Sequence, residues 1–418
     1  MGPEHALKLA KDFDRFREGF PRPLESYVRE TYAIDLAGEY GGLRVKNPFG
    51  KASGQLSLAR HQVEKDAEAG LGFVVLKTVI AQDAAGAQTM AEWAIPETRM
   101  LVERIRGRSG EEGWTVTWKG RGWFDTFEAY RKFFDEALTV GEGAAMVIAP
   151  SVKYHLPTPG EDFWKKEEYT FTTRALLEIW DRHRPGDSMP LEKDFSPTLA
   201  GSERATQQAR ILEWLERVPG LVHGTAPGRI HVGLKMFNTL FEDAFQVRML
   251  EAVEAAPPGE RRAEFLVYAN RLFDPHREFE GKVGVAYGGP DLSGRNLAAL
   301  ERFLSRGTAP SAGGLKALPL SATGDIHSGR VAAEYLLRGA STFQMHTLFQ
   351  LPDGEFALRG GTKTEKALHL LLFHPQEGFL AWFLDLRQRF GWRTEMNVGE
   401  AARWCREHWE EVTEELNH

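Results

Sequence analysis

The sequence alternates short apolar runs with segments of helical periodicity along most of its length. Most of eight such runs, each of five to eight residues, are rich in Val, Ile, Phe or Leu, as is typical of strands buried on both faces. The run PLEKDFS is the weakest candidate, because it carries three charges. The eight predicted strands lie at 49–53, 71–78, 144–151, 190–196, 230–237, 265–270, 318–323 and 341–347.

Amphipathic segments separate the predicted strands. In FDTFEAYRKFFDEALT, apolar and aromatic residues recur every three or four positions and share one helix face. TLFEDAFQVRMLEAV, GRNLAALERFL and SGRVAAEYLLRG show a similar period, and the last has an N-cap at Ser328 and a terminating glycine at Gly339. Alternating strands and helices predict an α/β fold with a parallel sheet, and eight strands favour a (β/α)8 TIM barrel over a doubly wound sheet.

Two segments interrupt this alternation. Residues 79–123 and 152–189 are far longer than the few-residue connections usual in such folds. We expect them over the mouth of the barrel, as lids or substrate walls. Residues 1–40 and 351–418 are predicted to be helical extensions, which assigns 41–350 to the barrel itself.

Composition narrows the class of protein. The 418 residues are 42% hydrophobic, enough for a sizeable core, and the net charge is −7 with scattered Lys and Arg. This argues against nucleic-acid and anionic-membrane binding. The single cysteine, Cys405, excludes intramolecular disulfides and cysteine metal clusters and suits a reducing compartment. The N-terminus is charged and lacks a long apolar run, so we expect no signal peptide or membrane anchor and a cytoplasmic location.

Two lysines stand out at the predicted barrel mouth, where function resides in this fold. Lys77 in FVVLKT and Lys235 in IHVGLKMF lie in otherwise apolar strands, where a buried charge is costly without an anionic partner. A structural ion pair or a snorkelling side chain explains either lysine alone. Two of them at one barrel mouth favour an anionic ligand.

The stretch 318–347 adds a candidate phosphate site. Loops after the seventh and eighth strands, together with a helix N-terminus, form a common phosphate cradle in TIM barrels. Gly324 lets the backbone approach a phosphate closely, and Thr347 offers a hydroxyl donor. A glycine-containing turn alone is more often structural, but AYGGPDLSGRN supplies another glycine-rich loop before a helix.

Taken in order, several motifs resemble the dihydroorotate dehydrogenase family. They are NPFGKASG, AGLGFVVLKT, GLKMF, YAN, GGPDLSG and ATGDIHSGRVAAEYLLRGASTFQMHT, and they span roughly residues 45–350. The resemblance implies an FMN-dependent oxidoreductase that acts on a C–C bond of a small, pyrimidine-like substrate in pyrimidine metabolism. Electrons would pass to a soluble acceptor or partner, and a homodimer is one assembly to test.

The resemblance also implies roles for individual residues. Lys77 would lie near flavin and substrate, and Lys235 would face the pyrimidine edge of the flavin. The other cofactor-binding positions implied by the family are Ala52, Ser53 and Gly54 at the flavin ring, Asn270 at flavin or substrate, and Gly294, Thr323, Gly324 and Thr347 at the phosphate.

Departures from the family pattern keep other functions open. Pro197 occupies the position of the catalytic base, so Asp194 and Ser196 are the nearby candidates for that role. Asp325 and His346 stand where the family has glycines, and an aspartate beside phosphate needs a cation such as His346 or His327. The alternatives are a non-catalytic or flavin-free phosphate- or nucleotide-binding barrel, and a flavin-free isomerase or lyase. The dispersed histidines predict no metal site.

Overall fold

A computed structural model describes most of the chain. The described residues are 2–91, 94, 100–118, 122–158, 160–195, 204–239, 241–255, 262–279, 281–306 and 318–416. Their strands are, in chain order, β1 (Gly38–Tyr40), β2 (Leu43–Val45), β3 (Phe49–Lys51), β4 (Phe73–Val75), β5 (Val79–Ile80), β6 (Met100–Arg106), β7 (Glu112–Trp118), β8 (Val147–Ala149), β9 (Ser151–Lys153), β10 (Met189–Asp194), β11 (Ile230–Phe237), β12 (Phe265–Asn270), β13 (Leu272–Phe279), β14 (Lys282–Tyr287), β15 (Leu320–Thr323) and β16 (Ala340–Met345).

The main sheet is a parallel barrel. Its strands follow the order β5-β9-β10-β11-β12-β15-β16-β3-β4-β8. β4 and β5 are two halves of one strand, and so are β8 and β9, which only Pro150 separates. Because β4 pairs with β8 and β5 with β9, the two ends of the order are one strand pair and the ring closes. The (β/α)8 barrel predicted from the alternation is therefore confirmed.

The helices form the outer layer. α3 to α9 each follow one barrel strand, and α10 and α11 fill the gap between α9 and α3. α12 packs on α9, β16 and β1, and α1 packs on α10 and α11. The helices are α1 (Pro3–Arg15), α2 (Leu24–Tyr32), α3 (Arg60–Ala69), α4 (Phe127–Gly143), α5 (Lys166–His183), α6 (Arg204–His223), α7 (Asp243–Ala255), α8 (Leu292–Leu304), α9 (Gly329–Leu337), α10 (Lys363–Phe373), α11 (Phe379–Arg389), α12 (Val398–Glu407) and α13 (Trp409–Leu416).

Local sequence signals account for several boundaries. β11 and β12 match the predicted runs at 230–237 and 265–270. α9 begins after Ser328, whose hydroxyl accepts a hydrogen bond from the Val331 N–H at 3.3 Å, and Gly339 follows its end at a φ of 88°. The weak candidate at 190–196 is strand β10, with all six of its residues buried.

The two long segments differ from each other. Residues 79–123 include the antiparallel hairpin β6–β7, which lies over the barrel mouth. The expectation of a lid at 152–189 is wrong for most of that segment, because α5 occupies 166–183. α5 packs between α4 and α6 in the outer ring. Its buried face mixes Tyr169, Thr172 and Thr173 with aliphatic residues, so the helical period is less obvious in the sequence.

Aromatic rings fill the floor of the barrel. Tyr40 from β1 stacks on Phe73 with ring centroids 4.5 Å apart and meets the edge of Phe265 at 5.1 Å. Glycines make room for these rings. A Cβ atom on Gly50 would lie 2.4 Å from the Phe73 ring, and one on Gly233 would lie 2.1 Å from the Phe265 ring. The floor is thus closed by ring-on-glycine packing, which leaves the opposite end for a site.

Gly233→Ala tests this packing. We expect the free energy of unfolding in denaturant to fall by roughly 1–3 kcal/mol, because the new methyl group must displace the Phe265 ring. Gly143→Ala is the control, since no atom lies within 4 Å of a Cβ at that helical position. Equal stability of the two variants would contradict the packing described here.

Candidate functional site

A cavity of about 280 Å³ lies at the carboxyl ends of the barrel strands. Hairpin β6–β7 contributes Arg104, Gly113 and Trp114 to its wall, and Leu348 and Leu351 contribute an apolar side. Many of the residues predicted from sequence meet there. These are Ala52, Ser53, Lys235, Asn270, Thr323, Gly324, Asp325, His346 and Thr347.

Lys235 lies at the cavity and is also part of a buried ion pair. Its Nζ is 2.9 Å from a carboxylate oxygen of Glu192, and both side chains are almost fully buried. The other Glu192 oxygen accepts hydrogen bonds from the Tyr40 hydroxyl at 2.9 Å and from the Gln344 amide at 3.0 Å. Four side chains from β1, β10, β11 and β16 are therefore tied together inside the barrel.

Lys77 lies behind the cavity wall and does not line it. It falls between β4 and β5, where its backbone N–H leaves the sheet to donate to the Ser57 carbonyl at 2.8 Å. Burial, together with the nearby Lys153, lowers the pKa of Lys77 to about 7, although Asp194 opposes the shift. A lysine with this pKa changes its charge near neutral pH.

Asp194 is buried at the end of β10 and does not line the cavity. Its Oδ2 is 3.3 Å from the Nζ of Lys153 and accepts a hydrogen bond from the Thr78 hydroxyl at 3.4 Å. The Thr78 hydroxyl is also 2.8 Å from that of Ser53. A chain of hydroxyl groups therefore links the cavity wall at Ser53 to the Asp194 carboxylate. Ser196, the other candidate base, lies outside the described residues, as does Pro197.

One side of the cavity offers open backbone to a ligand. A Cβ on Gly288 would meet only the Thr347 hydroxyl, at 3.8 Å, and one on Gly294 in the first turn of α8 would meet nothing within 4 Å. Gly294 itself does not line the cavity. Behind this wall, the buried Asn296 amide donates to the carbonyls of Ala269 and Thr323, at 2.9 and 3.0 Å. These carbonyl oxygens are thereby satisfied and contribute less negative potential to the cavity.

Asp325 lines the same end of the cavity at a φ of 51°, in the left-handed region. Its Oδ2 lies 3.4 Å from Nδ1 of His327 and 3.5 Å from the Ser293 hydroxyl. Burial favours neutral His327, but the hydrogen bond and charge of Asp325 outweigh it and raise the pKa of the imidazole. A protonated His327 is thus the cation available to Asp325.

His346 has a different position from the one expected. Its ring covers Gly54, where a Cβ would lie 2.5 Å from the imidazole, so Gly54 does not line the cavity. Burial and the charges of Arg271 and Lys77 lower the pKa of His346 well below its ordinary value. This lowered pKa disfavours a charged His346 beside Asp325, so His327, the other candidate, is the better partner for that carboxylate.

Sequence reasoning missed several residues of the site. Arg271 lines the cavity directly after β12, and Lys153 lies on β9 facing Asp194. Below the cavity, Lys77 and Lys153 lie near the Asp194 carboxylate and Lys235 pairs with Glu192, while Asp325 and Glu355 add carboxylates to the cavity lining itself. The charged run PLEKDFS was the available signal, because charges inside a parallel strand must point to a site or to buried partners.

The Lys235–Glu192 pair can be tested by a double-mutant cycle. Glu192→Leu leaves Lys235 buried without this carboxylate, so we expect a loss of roughly 3–5 kcal/mol in the free energy of unfolding. Glu192→Leu with Lys235→Met should recover most of that loss, because both charges are gone. Additive effects in denaturant titrations would contradict the coupling.

Comparison with known proteins supports the fold. No family model matches the sequence, and no curated protein matches it. The crystal structure of DHODH, a dihydroorotate dehydrogenase, from Eimeria tenella in complex with ferulenol is similar to this chain with a TM-score of 0.54. The two share 13% identity, and the similarity covers 96% of this chain and 95% of that chain. The chain thus has a dihydroorotate dehydrogenase-like barrel fold.

Among the described residues, no helix combines the length and apolarity that a membrane span requires, and no three His, Cys, Asp or Glu side chains cluster as a metal site.

Proposed function

We propose that the protein is an FMN-dependent oxidoreductase that acts on a C–C bond of a small polar substrate. The observation that carries this proposal is Lys235, a buried cation at the wall of the cavity, with Lys77 and Lys153 buried close by. An anionic ligand there offsets the cost of keeping these charges from water. The fold shared with a dihydroorotate dehydrogenase makes a flavin the first ligand to test.

The residues present fit FMN. Gly324 and Thr347 would hold its phosphate, since both line the cavity, and Gly288 leaves space beside the Thr347 hydroxyl. Ala52 and Ser53 would contact the ring, and Lys235 would offer positive charge to it. FMN, when bound, supplies two-electron redox chemistry that no side chain has. Gly54 and Gly294, which do not line the cavity, have no direct contact in this proposal.

Within the same proposal, Asp194 is the residue that accepts a substrate proton. Because Asp194 lies behind the cavity wall, the proton would reach it through the hydroxyl groups of Ser53 and then Thr78. Lys77 would tune this step, since its ammonium form stabilises the carboxylate and its neutral form does not. Asn270, at the end of β12, would orient the substrate or the flavin.

A pyrimidine-like substrate and a soluble electron acceptor belong to the same proposal and rest on the resemblance of the motifs. Dihydroorotate itself is a probe here and not the expected substrate, because Pro197 occupies the sequence position of the family's catalytic base. We expect it to reduce bound flavin slowly or not at all. A homodimer is an untested assembly.

A second candidate is a barrel that binds phosphate compounds or nucleotides without flavin, and Asp325 hinders phosphate binding in both candidates. The Asp325 carboxylate lies at the end of the cavity proposed for the phosphate, and it repels a phosphate whenever His327 is neutral. The two candidates differ in whether the chain binds the isoalloxazine ring.

FMN binding is the direct test. The purified protein should absorb at flavin wavelengths or take up added FMN, and Lys235→Met should weaken FMN affinity at least tenfold by loss of one buried cation, or about 1.4 kcal/mol. Lys46→Met is the matched control. Lys46 is also partly buried, but it lies at the end of the barrel away from the cavity, where it donates to the Ala144 carbonyl. A colourless protein that binds no FMN would refute the proposal and favour the flavin-free candidate.

FMN affinity should also depend on pH through His327. Its pKa is raised, so the protonated form that offsets Asp325 persists above the usual histidine range and is lost as pH rises through the shifted pKa. The FMN dissociation constant should therefore increase across that interval, whereas that of riboflavin, which has no phosphate, should not. Asp325→Asn should tighten FMN binding at high pH and flatten the profile. An unchanged profile in that variant would show that the phosphate lies elsewhere.

A further inference from the structure

Hairpin β6–β7 lies over the cavity. It leaves the barrel after β5 and returns to α4, so both of its connections are on the second barrel strand. Its tip lies against residues 288–291, which follow β14 and precede α8 on the sixth barrel strand. At its open end, Sδ of Met100 accepts a hydrogen bond from the Gln350 amide at 3.0 Å, in the segment that follows the eighth barrel strand. The hairpin therefore runs over the cavity between the loops after the eighth and sixth strands.

Asp291 fastens the far end of the hairpin. Its carboxylate accepts hydrogen bonds from the backbone N–H groups of Arg108 and Ser109, the second at 2.9 Å. Asp291 is also the N-cap of α8, yet its side chain makes no hydrogen bond to that helix. An N-cap aspartate ordinarily accepts from the first turn of its own helix. Here the carboxylate holds the hairpin tip instead.

Glycines allow the two backbones to meet along the rest of the contact. A Cβ on Gly289 would lie 2.4 Å from the Trp114 carbonyl oxygen, and one on Gly113 would lie 2.8 Å from the Pro290 ring. The Thr115 hydroxyl accepts the Gly288 N–H at 3.3 Å. Part of the GGPD loop, predicted as a phosphate cradle, thus serves to dock the hairpin.

We propose that β6–β7 is a strap over the cavity, latched by Asp291, and that the latch must open before a ligand of FMN size enters or leaves. The choice of FMN rests on the proposed function. The hairpin forms part of the cavity wall through Arg104, Gly113 and Trp114, so a ligand in the cavity lies beneath it. The latch is two hydrogen bonds to one partly exposed carboxylate, and such contacts open more readily than a packed core.

An engineered disulfide tests the strap. A Cβ on Gly107 would lie 2.8 Å from Cγ of Asp291, so Gly107→Cys with Asp291→Cys puts a sulfur within bonding reach. The natural Cys405 is buried and leaves a clean background. After FMN is loaded in the reduced protein, oxidation should slow FMN release at least tenfold, and a phosphine reductant should reverse the effect.

The single-cysteine variants are the controls, because neither can close the strap. Their FMN release should not respond to oxidant, and Asp291→Cys alone should release FMN faster than the parent chain. Equal release rates from the locked and unlocked double variant would overturn the proposal. So would a locked protein that fills with added FMN as fast as the unlocked one.

A second measurement needs no flavin and so separates this proposal from the proposed function. Ser53 lines the cavity beneath the hairpin, so Ser53→Cys reports access when a thiol reagent labels it. Adding Asp291→Ala should raise the labelling rate at least tenfold, since it removes both hydrogen bonds to a charged acceptor. Adding Asp291→Asn, which keeps one amide oxygen as acceptor, should give an intermediate rate. Equal rates in all three proteins would overturn the strap even if FMN binds.

Discussion

The ion pair between Lys235 and Glu192 connects the fold to the site. It joins neighbouring strands β10 and β11 inside the barrel, and Tyr40 and Gln344 attach β1 and β16 to the same carboxylate. A charge pair out of water is stable only when its remaining hydrogen-bonding capacity is satisfied. Because Tyr40 also stacks on Phe73 in the barrel floor, the hydrophobic packing below and the polar groups above share one residue.

The barrel is therefore divided along its axis. Aromatic rings against glycines close one end, where nothing polar needs to enter. The opposite end holds buried cations, a hydroxyl chain and a cavity, and these groups could not be kept from water without the rigid strands around them. The packing that closes the barrel and the candidate site thus lie in different layers of the same eight strands, as is usual in TIM barrels.

The sequence predicted those parts that depend on local patterns. The apolar runs at 230–237 and 265–270 became β11 and β12 without a shift, and Lys235 stood out because its neighbours are all apolar. The hydroxyl link between Ser53 and Thr78 was invisible, since it depends on the pairing of two strands 25 residues apart. Hairpin β6–β7 was missed as a structure because it lies inside one long connection, outside the strand–helix alternation from which the barrel was predicted.

The buried Lys77 has a consequence for how any anion binds. Burial lowers its pKa to about 7, so its charge can change near neutral pH. An anion that comes near favours the ammonium form and raises that pKa. Ligand binding is then accompanied by proton uptake from the buffer, so the heat of binding varies with the ionisation enthalpy of the buffer. In this way, the barrel couples the occupancy of its cavity to the proton concentration of its surroundings.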